Sequence, residues 1–436
     1  MTSEVTHIRS SRLANGLTVV SDPMPSVETV TVGVWVGVGT RDEAATQNGV
    51  AHLLEHMAFK GTTSRTAQQI VEEIESVGGY VNAYTSRETT AYYARVLTED
   101  LSLAIGILGD ILQHSTFEPA ELERERDVIV QEIGQALDTP EDVVFDRFQE
   151  KAYPGQGIGR SVLGTTEIVQ GLARNDIMDF MARHYSADNM ALVAAGNIDH
   201  EALVALAEDA FDTLARHAAP ISVPARYEGG DTRLARAGEQ VHVLIGLDAL
   251  PMTDPDYYAA LVLSQALGGG MSSPLFQEIR EKRGLAYAIY SFLAGYRDCG
   301  TFGIYAGTGP EKVDELIRVV CDELTAASER VTGAALDSTK RQLRAGILMG
   351  MESSQARADQ IGTQLLTLGR IVPVDEMARS IDSVTRSDLA RVFGRLRTSR
   401  PTFAALGPLG DIMAFDTIAR RLDTQGPETP PATAIR

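Results

Sequence analysis

Two stretches of this chain, about 210 residues apart, run through the same succession of elements. Val30-Thr31-Val32-Gly33-Val34-Trp35-Val36 precedes a helical run, and Val241-His242-Val243-Leu244-Ile245-Gly246-Leu247 precedes the helical run Tyr257-Tyr258-Ala259-Ala260-Leu261-Val262-Leu263. Further along, Tyr92-Tyr93-Ala94-Arg95-Val96 leads into a helix from Leu101, as Thr301-Phe302-Gly303-Ile304-Tyr305 leads into one from Glu311. Each copy mixes strands and helices in one order, so the chain reads as a duplicated α+β domain. At 436 residues with 44% hydrophobic side chains it exceeds one ordinary core, and the echo sets the number of domains at two. Arg216 to Arg233, with Pro220, Pro224, Gly229 and Gly230, reads as the linker. The domains are therefore placed at residues 1–220 and 221–425, with a disordered, proline-rich tail at 426–436.

Local signals agree with this class. Asn15-Gly16 between Leu13 and Leu17 marks a hairpin turn, and Val30, Val32, Val34, Val36 and Val38 recur at the two-residue period of a strand. Thr66 and Gln69 form a capping box that opens a helix containing Ile70, Val71 and Ile74, which Gly78-Gly79 closes. Gly268-Gly269-Gly270 lacks the lysine and the strand-loop-helix order of a phosphate loop and reads as a flexible turn.

The chemistry is concentrated in Asn48-Gly49-Val50-Ala51-His52-Leu53-Leu54-Glu55-His56-Met57-Ala58-Phe59. On a helix His52 and His56 lie about 40° apart and one turn from each other, with Glu55 about 60° to the other side of His52. Two imidazoles can thus reach one ion while a carboxylate stands beside it, the His-x-x-Glu-His pattern of an inverted zincin. A catalytic zinc needs a third protein ligand and an open position for water. A second helix, from Pro119 to about Leu137, offers Glu121, Glu123, Glu125 and Glu132. Glu125 and Glu132 fall within about 20° of one face, with Ile129 between them and Ile133 beside them, where a carboxylate would be directed inward.

In these motifs the chain resembles the pitrilysin family of zinc peptidases, in the branch of the mitochondrial processing peptidase and its bacterial relatives, over nearly its whole length. The resemblance implies two homologous α+β domains, each a mostly antiparallel sheet with helices packed on it. It implies one Zn²⁺ per chain, held by His52, His56 and Glu132, with Glu55 as base and then acid, and Glu125 supporting the site from behind. Glu132 follows His56 by 76 positions, the separation the family shows in outline. The second copy has no His-x-x-Glu-His, so the chemistry belongs to the first. By the same resemblance Asn82, Ala83, Tyr84 and Thr85 lie on an edge strand that takes an extended substrate by backbone hydrogen bonding. Arg280 and Tyr287, seven residues apart, match a family pair that binds substrate near the zinc, supplied in cis or from a partner protomer.

Charge is uneven: residues 1–220 hold 15 Lys and Arg against 33 Asp and Glu, and the remainder holds 24 against 26. Such a chain is a poor partner for nucleic acid or anionic membranes and attracts basic peptides to its first half. Cys299 and Cys321 imply no disulfide framework, and no run suggests an export signal or a membrane span, which fits a cytoplasmic protein, or one of a matrix-like compartment after removal of a presequence. The expected function is a zinc endopeptidase acting on unfolded peptides or presequence-like segments, as a homodimer or with a related subunit. Its rivals are a catalytic subunit inert without a non-identical partner, and a scaffold of the respiratory core-protein kind. Intact His52, Glu55, His56 and Glu132 speak against the scaffold.

Overall fold

A computed structural model describes residues 7–218 and 220–422; the expected tail lies outside them. The strands are β1 (Arg9–Arg12), β2 (Thr18–Pro23), β3 (Thr29–Val36), β4 (Tyr80–Thr85), β5 (Thr90–Leu97), β6 (Met190–Gly196), β7 (Gly230–Ala235), β8 (Val241–Ala249), β9 (Ala286–Gly295), β10 (Gly300–Thr308) and β11 (Thr402–Gly407). The helices used below are α1 (Val50–Ala58), α2 (Ala67–Ser76), α3 (Leu101–Gln113), α4 (Pro119–Asp138), α5 (Pro140–Ala152), α6 (Tyr257–Gly268), α7 (Val313–Thr325) and α8 (Ser354–Leu368).

One sheet has the order β1-β2-β6-β3-β5-β4 and the other β7-β11-β8-β10-β9. Both are antiparallel except for one parallel pair each, β2 with β6 and β7 with β11. After the extra edge hairpin of β1, the second sheet repeats the first strand for strand, so the two domains are homologous α+β folds. The Asn15-Gly16 turn closes that hairpin, pairing Arg12 with Thr18, and the Thr66–Gln69 capping box opens α2. Among the described residues no helix is long and apolar enough to cross a membrane.

In the first unit both faces of the sheet are covered. Val30, Val32 and Val34 pack with Leu53 and Leu54 of α1 and Ile105 and Leu108 of α3. Trp35 and Val193 face the other way, onto Ala358 and Ile361 of α8. A Cβ on Gly362 would lie 2.4 Å from the Trp35 ring, so α8 approaches this closely only through a glycine. In the second unit α5 supplies Val143, Val144 and Phe148 to a cluster with Leu244, Ala404 and Leu406, while α6 lies against β9.

The compact units differ from the contiguous halves 1–220 and 221–425. The first consists of the segment up to Thr139 with Gly155–Ala225 and Arg344–Arg379; the second consists of Pro140–Pro154, Arg226–Leu343 and the segment from Ser380. Thus α5, from the first half of the chain, belongs to the second unit, and α8, from the second half, belongs to the first. The apolar face of an amphipathic helix specifies that it packs on a sheet, not on which sheet.

Candidate active site

The backbone enters α1 through Gly49, which sits at φ 101° with the Leu163 carbonyl 2.9 Å from where a Cβ would be. A side chain is excluded there both by conformation and by space. The first amides of the helix are met by the buried Glu43: its Oε2 accepts from Gly49 N at 2.9 Å and Asn48 Nδ2 at 2.8 Å, and its Oε1 accepts from Ala51 N at 2.8 Å. Burial outweighs these bonds and pushes the Glu43 carboxyl up to about 7. Val50, Ala51, Leu53, Leu54, Met57 and Ala58 are buried, which pins the helix and leaves His52, Glu55 and His56 on its remaining face.

That face meets Glu132 of α4. His52 Nε2 lies 3.8 Å and His56 Nε2 3.6 Å from Glu132 Oε2, and one ligand atom from each residue falls within 4.8 Å of the others. The histidine–glutamate separations are too long for hydrogen bonds. They do suit a shared ion, since two ligands of a tetrahedral zinc at about 2.1 Å stand roughly 3.4 Å apart. Burial, and then the neighbouring His56, lower His52 to about 4, so it is the neutral ligand form at physiological pH. The residues therefore fit a zinc ion by geometry and by donor type.

Behind the cluster, His56 Nδ1 donates to Glu125 Oε2 at 3.0 Å, which leaves Nε2 facing Glu132. Glu125 in turn meets the Lys60 ammonium at 2.6 Å through its other oxygen. Burial works to raise Glu125, but the bonds from His56 and Lys60 bring it below the usual carboxylate range, and it stays anionic. For His56 burial pulls downward, while the bond to Glu125 and the charges of Glu132, Glu55 and Glu125 carry it above its ordinary value. His52 Nδ1 is buried with no hydrogen-bond partner among the described residues.

Glu55 is raised from its ordinary value, first by burial and also by the charge of Glu132, against the lowering effect of the Thr85 hydrogen bond and His56. Thr85 Oγ1 donates to Glu55 Oε2 at 2.6 Å. Thr85 ends β4, the open edge of its sheet, which also carries Asn82, Ala83 and Tyr84. Arg280 and Tyr287 lie in the second unit. Arg280 Nη1 donates to the Tyr287 carbonyl at 2.9 Å, and the guanidinium stacks on the Tyr287 and Phe276 rings, with Tyr287 itself 77% exposed.

Three contacts escaped the sequence reading: Glu43 with α1, Lys60 with Glu125, and Thr85 with Glu55. Lys60 stands one turn beyond His56, and that spacing is the signal by which it could have been found. Glu43 reaches the helix from a loop, and no periodicity marks such a residue.

Residues 18–166 match the family model described as Insulinase (Peptidase family M16), and residues 171–343 match the Peptidase M16 inactive domain. A protein of Rickettsia felis named as an uncharacterized zinc protease is 38% identical over 406 residues, 93% of this chain and 98% of the relative. A probable mitochondrial-processing peptidase subunit beta of Arabidopsis thaliana is 35% identical over 429 residues, 95% of this chain and 81% of that one. The crystal structure of a protease from Helicobacter pylori superposes with a TM-score of 0.86 at 24% identity, covering 93% of this chain and all of the other.

Proposed function

This chain belongs to the M16, or pitrilysin, family of zinc peptidases, and on that premise we propose that it is an endopeptidase that cuts extended, unfolded peptides at the His52–His56–Glu132 centre. The observation that carries the proposal is the convergence of His52, His56 and Glu132 with Glu55 beside them, next to an open strand edge. One zinc held there supplies a Lewis acid that makes water acidic and polarises a peptide carbonyl. Glu55, whose burial gives it a raised proton affinity, takes a proton from the attacking water and returns it to the leaving amine. Thr85 holds one oxygen of Glu55, so the carboxylate keeps its aim through both transfers. Glu125, fixed by Lys60, holds His56 in the tautomer whose Nε2 faces Glu132. The edge of β4, from Asn82 to Thr85, receives the peptide as an added strand, which reads backbone and tolerates varied side chains. Arg280 and Tyr287, supplied in cis or by a partner protomer, serve as a donor pair for the substrate carbonyl region.

A second reading is that the chain is the catalytic subunit of a heteromeric peptidase. It is favoured by the relative named as a subunit beta. The test is zinc content and hydrolysis of a quenched peptide library by wild type and Glu55→Gln. Wild type should hold one zinc and cut; the variant should hold zinc and lose about 10²- to 10⁴-fold in turnover. Zinc-loaded wild type that cuts no peptide would overturn the self-sufficient enzyme, and recovery of cutting with a related subunit would establish the second reading.

A further inference from the structure

The first sheet carries another built pocket, on the face opposite α1. We propose that the pocket formed by Trp35, Tyr84, Tyr93 and Asp359 receives a cationic side chain, lysine or arginine, of a peptide lying along β4, and so sets a cleavage preference. The inference rests on the peptidase reading and extends it to the side chains that point away from the metal cluster.

The alternation of β4 decides which side chains those are. The Ala83 amide bonds Oδ1 of Asn82, so it points outward, away from β5. Backbone direction and side-chain face alternate together along a strand. Val81 and Ala83 pack against the core cluster that includes α1, and Thr85 reaches Glu55. Tyr80 and Tyr84 turn to the opposite face, where Tyr80 Oη donates to Gln355 Oε1 at 2.7 Å and the Tyr84 hydroxyl donates to Asp359. Directly opposed residues of neighbouring strands share a face. Every second residue of an added peptide, those across from Tyr80, Asn82 and Tyr84, therefore faces this pocket.

The pocket has a volume of about 280 Å³, just below the roughly 300 Å³ at which small-ligand sites begin and enough for a single side chain. Its walls are the rings of Trp35, Tyr84 and Tyr93, and Asp359 of α8 lies among them. Asp359 Oδ1 accepts from Trp35 Nε1 at 3.1 Å and from Tyr84, whereas Oδ2 accepts nothing and no basic side chain pairs with Asp359 among the described residues. Gln355 Nε2 donates to the Tyr93 hydroxyl at 3.1 Å and, with its bond from Tyr80, fixes the rim. An unneutralised carboxylate bordered by aromatic faces favours a cation twice, by charge and by the ring quadrupoles. A neutral aliphatic side chain of equal length would cover the carboxylate without pairing it, and an acidic one would repel it.

The test uses quenched peptides in which one position at a time is lysine, norleucine or glutamate, cut by wild type and by Asp359→Asn. Asparagine keeps Oδ1 as acceptor for Trp35 and Tyr84. Because the readout is a ratio within one protein, a change in stability does not move it. Wild type should prefer lysine over norleucine about tenfold at one position, or at positions two apart, and the ratio should fall to about one in Asp359→Asn. The same ratio is measured as binding, by fluorescence anisotropy of labelled peptides on Glu55→Gln and on Glu55→Gln/Asp359→Asn. Peptides that are cut with no lysine preference, or with one that Asp359→Asn leaves intact, overturn the pocket and leave the peptidase standing. Lysine-dependent binding that needs Asp359, without any cleavage, upholds the pocket and overturns the peptidase. Peptides neither bound nor cut overturn both.

Discussion

Replacing Glu43 by alanine removes the acceptor on which the first turn of α1 rests. Two buried backbone amides, Gly49 and Ala51, lose the partner shown for them, while Asn48 keeps a bond to the Ser161 carbonyl at 3.0 Å. An unsatisfied buried donor costs about 1–3 kcal/mol, so the pair costs roughly 2–6 kcal/mol. Relief from burying a carboxylate offsets part of this, which places the net loss near 3 kcal/mol. For a body of this size that lowers Tm by about 6–12 °C, read by scanning calorimetry in chelator so that the ion takes no part. The pH dependence has a fixed sign. The native value of about 7 exceeds the ordinary 4.5, so protonation favours the folded state. The stability Glu43 contributes is complete below pH 4.5 and declines as pH rises through 7, hence the gap between wild type and Glu43→Ala narrows from pH 5 to pH 8. Because Ala51 precedes His52, zinc affinity should fall together with Tm. A variant melting within about 1 °C of wild type, or a gap that widens with pH, would refute the role given to Glu43.

Three further perturbations address single contacts. Lys60→Met strips Glu125 of its ammonium partner and should weaken zinc binding about tenfold in a chelator competition, with Glu125→Gln at least as severe; unchanged affinity in both would show that His56 needs no orientation from behind. Thr85→Val removes the bond that counteracts the burial of Glu55, so Glu55 rises further and the acid limb of the kcat/KM profile moves to higher pH; a limb that stays or moves lower contradicts the contact. Asp110 accepts from Thr62 and Ser64 at 2.7 Å each and from Arg65, and these bonds outweigh burial to hold its carboxyl below the ordinary 3.8. Its contribution is therefore present above pH 3.8 and lost as pH falls through the depressed native value, so Asp110→Asn should cost about 1–3 kcal/mol near neutrality and progressively less in acid, measured by urea unfolding.

The parts of this site that are legible without coordinates are those fixed by a helical period. His52, Glu55 and His56 share a face by spacing alone, and Glu125 and Glu132 repeat that argument on α4 over two turns. The period of two misleads in β3, where valines alternating with Thr31, Gly33 and Trp35 carry the mark of a half-buried strand. Yet Thr31 and Trp35 are as buried as the valines, because α8 covers their face: Thr31 Oγ1 pairs with Ser354 Oγ at 2.9 Å, and Gly362 admits the indole. The polar residue hid the second buried face, since a threonine is inexpensive to bury only when another chain segment supplies its hydrogen bond. That segment lies more than three hundred positions away, and nothing local announces it. The same blindness covers Asp359, which a helical reading leaves as one more solvated carboxylate. Its character follows from the tertiary exchange that brings α8 onto the first sheet, where Trp35 and Tyr84 bind one oxygen and leave the other without a partner among the described residues. Residues of the proposed metal centre are thus set by local period, whereas residues that would choose among substrates are set by a helix borrowed from the other half of the chain.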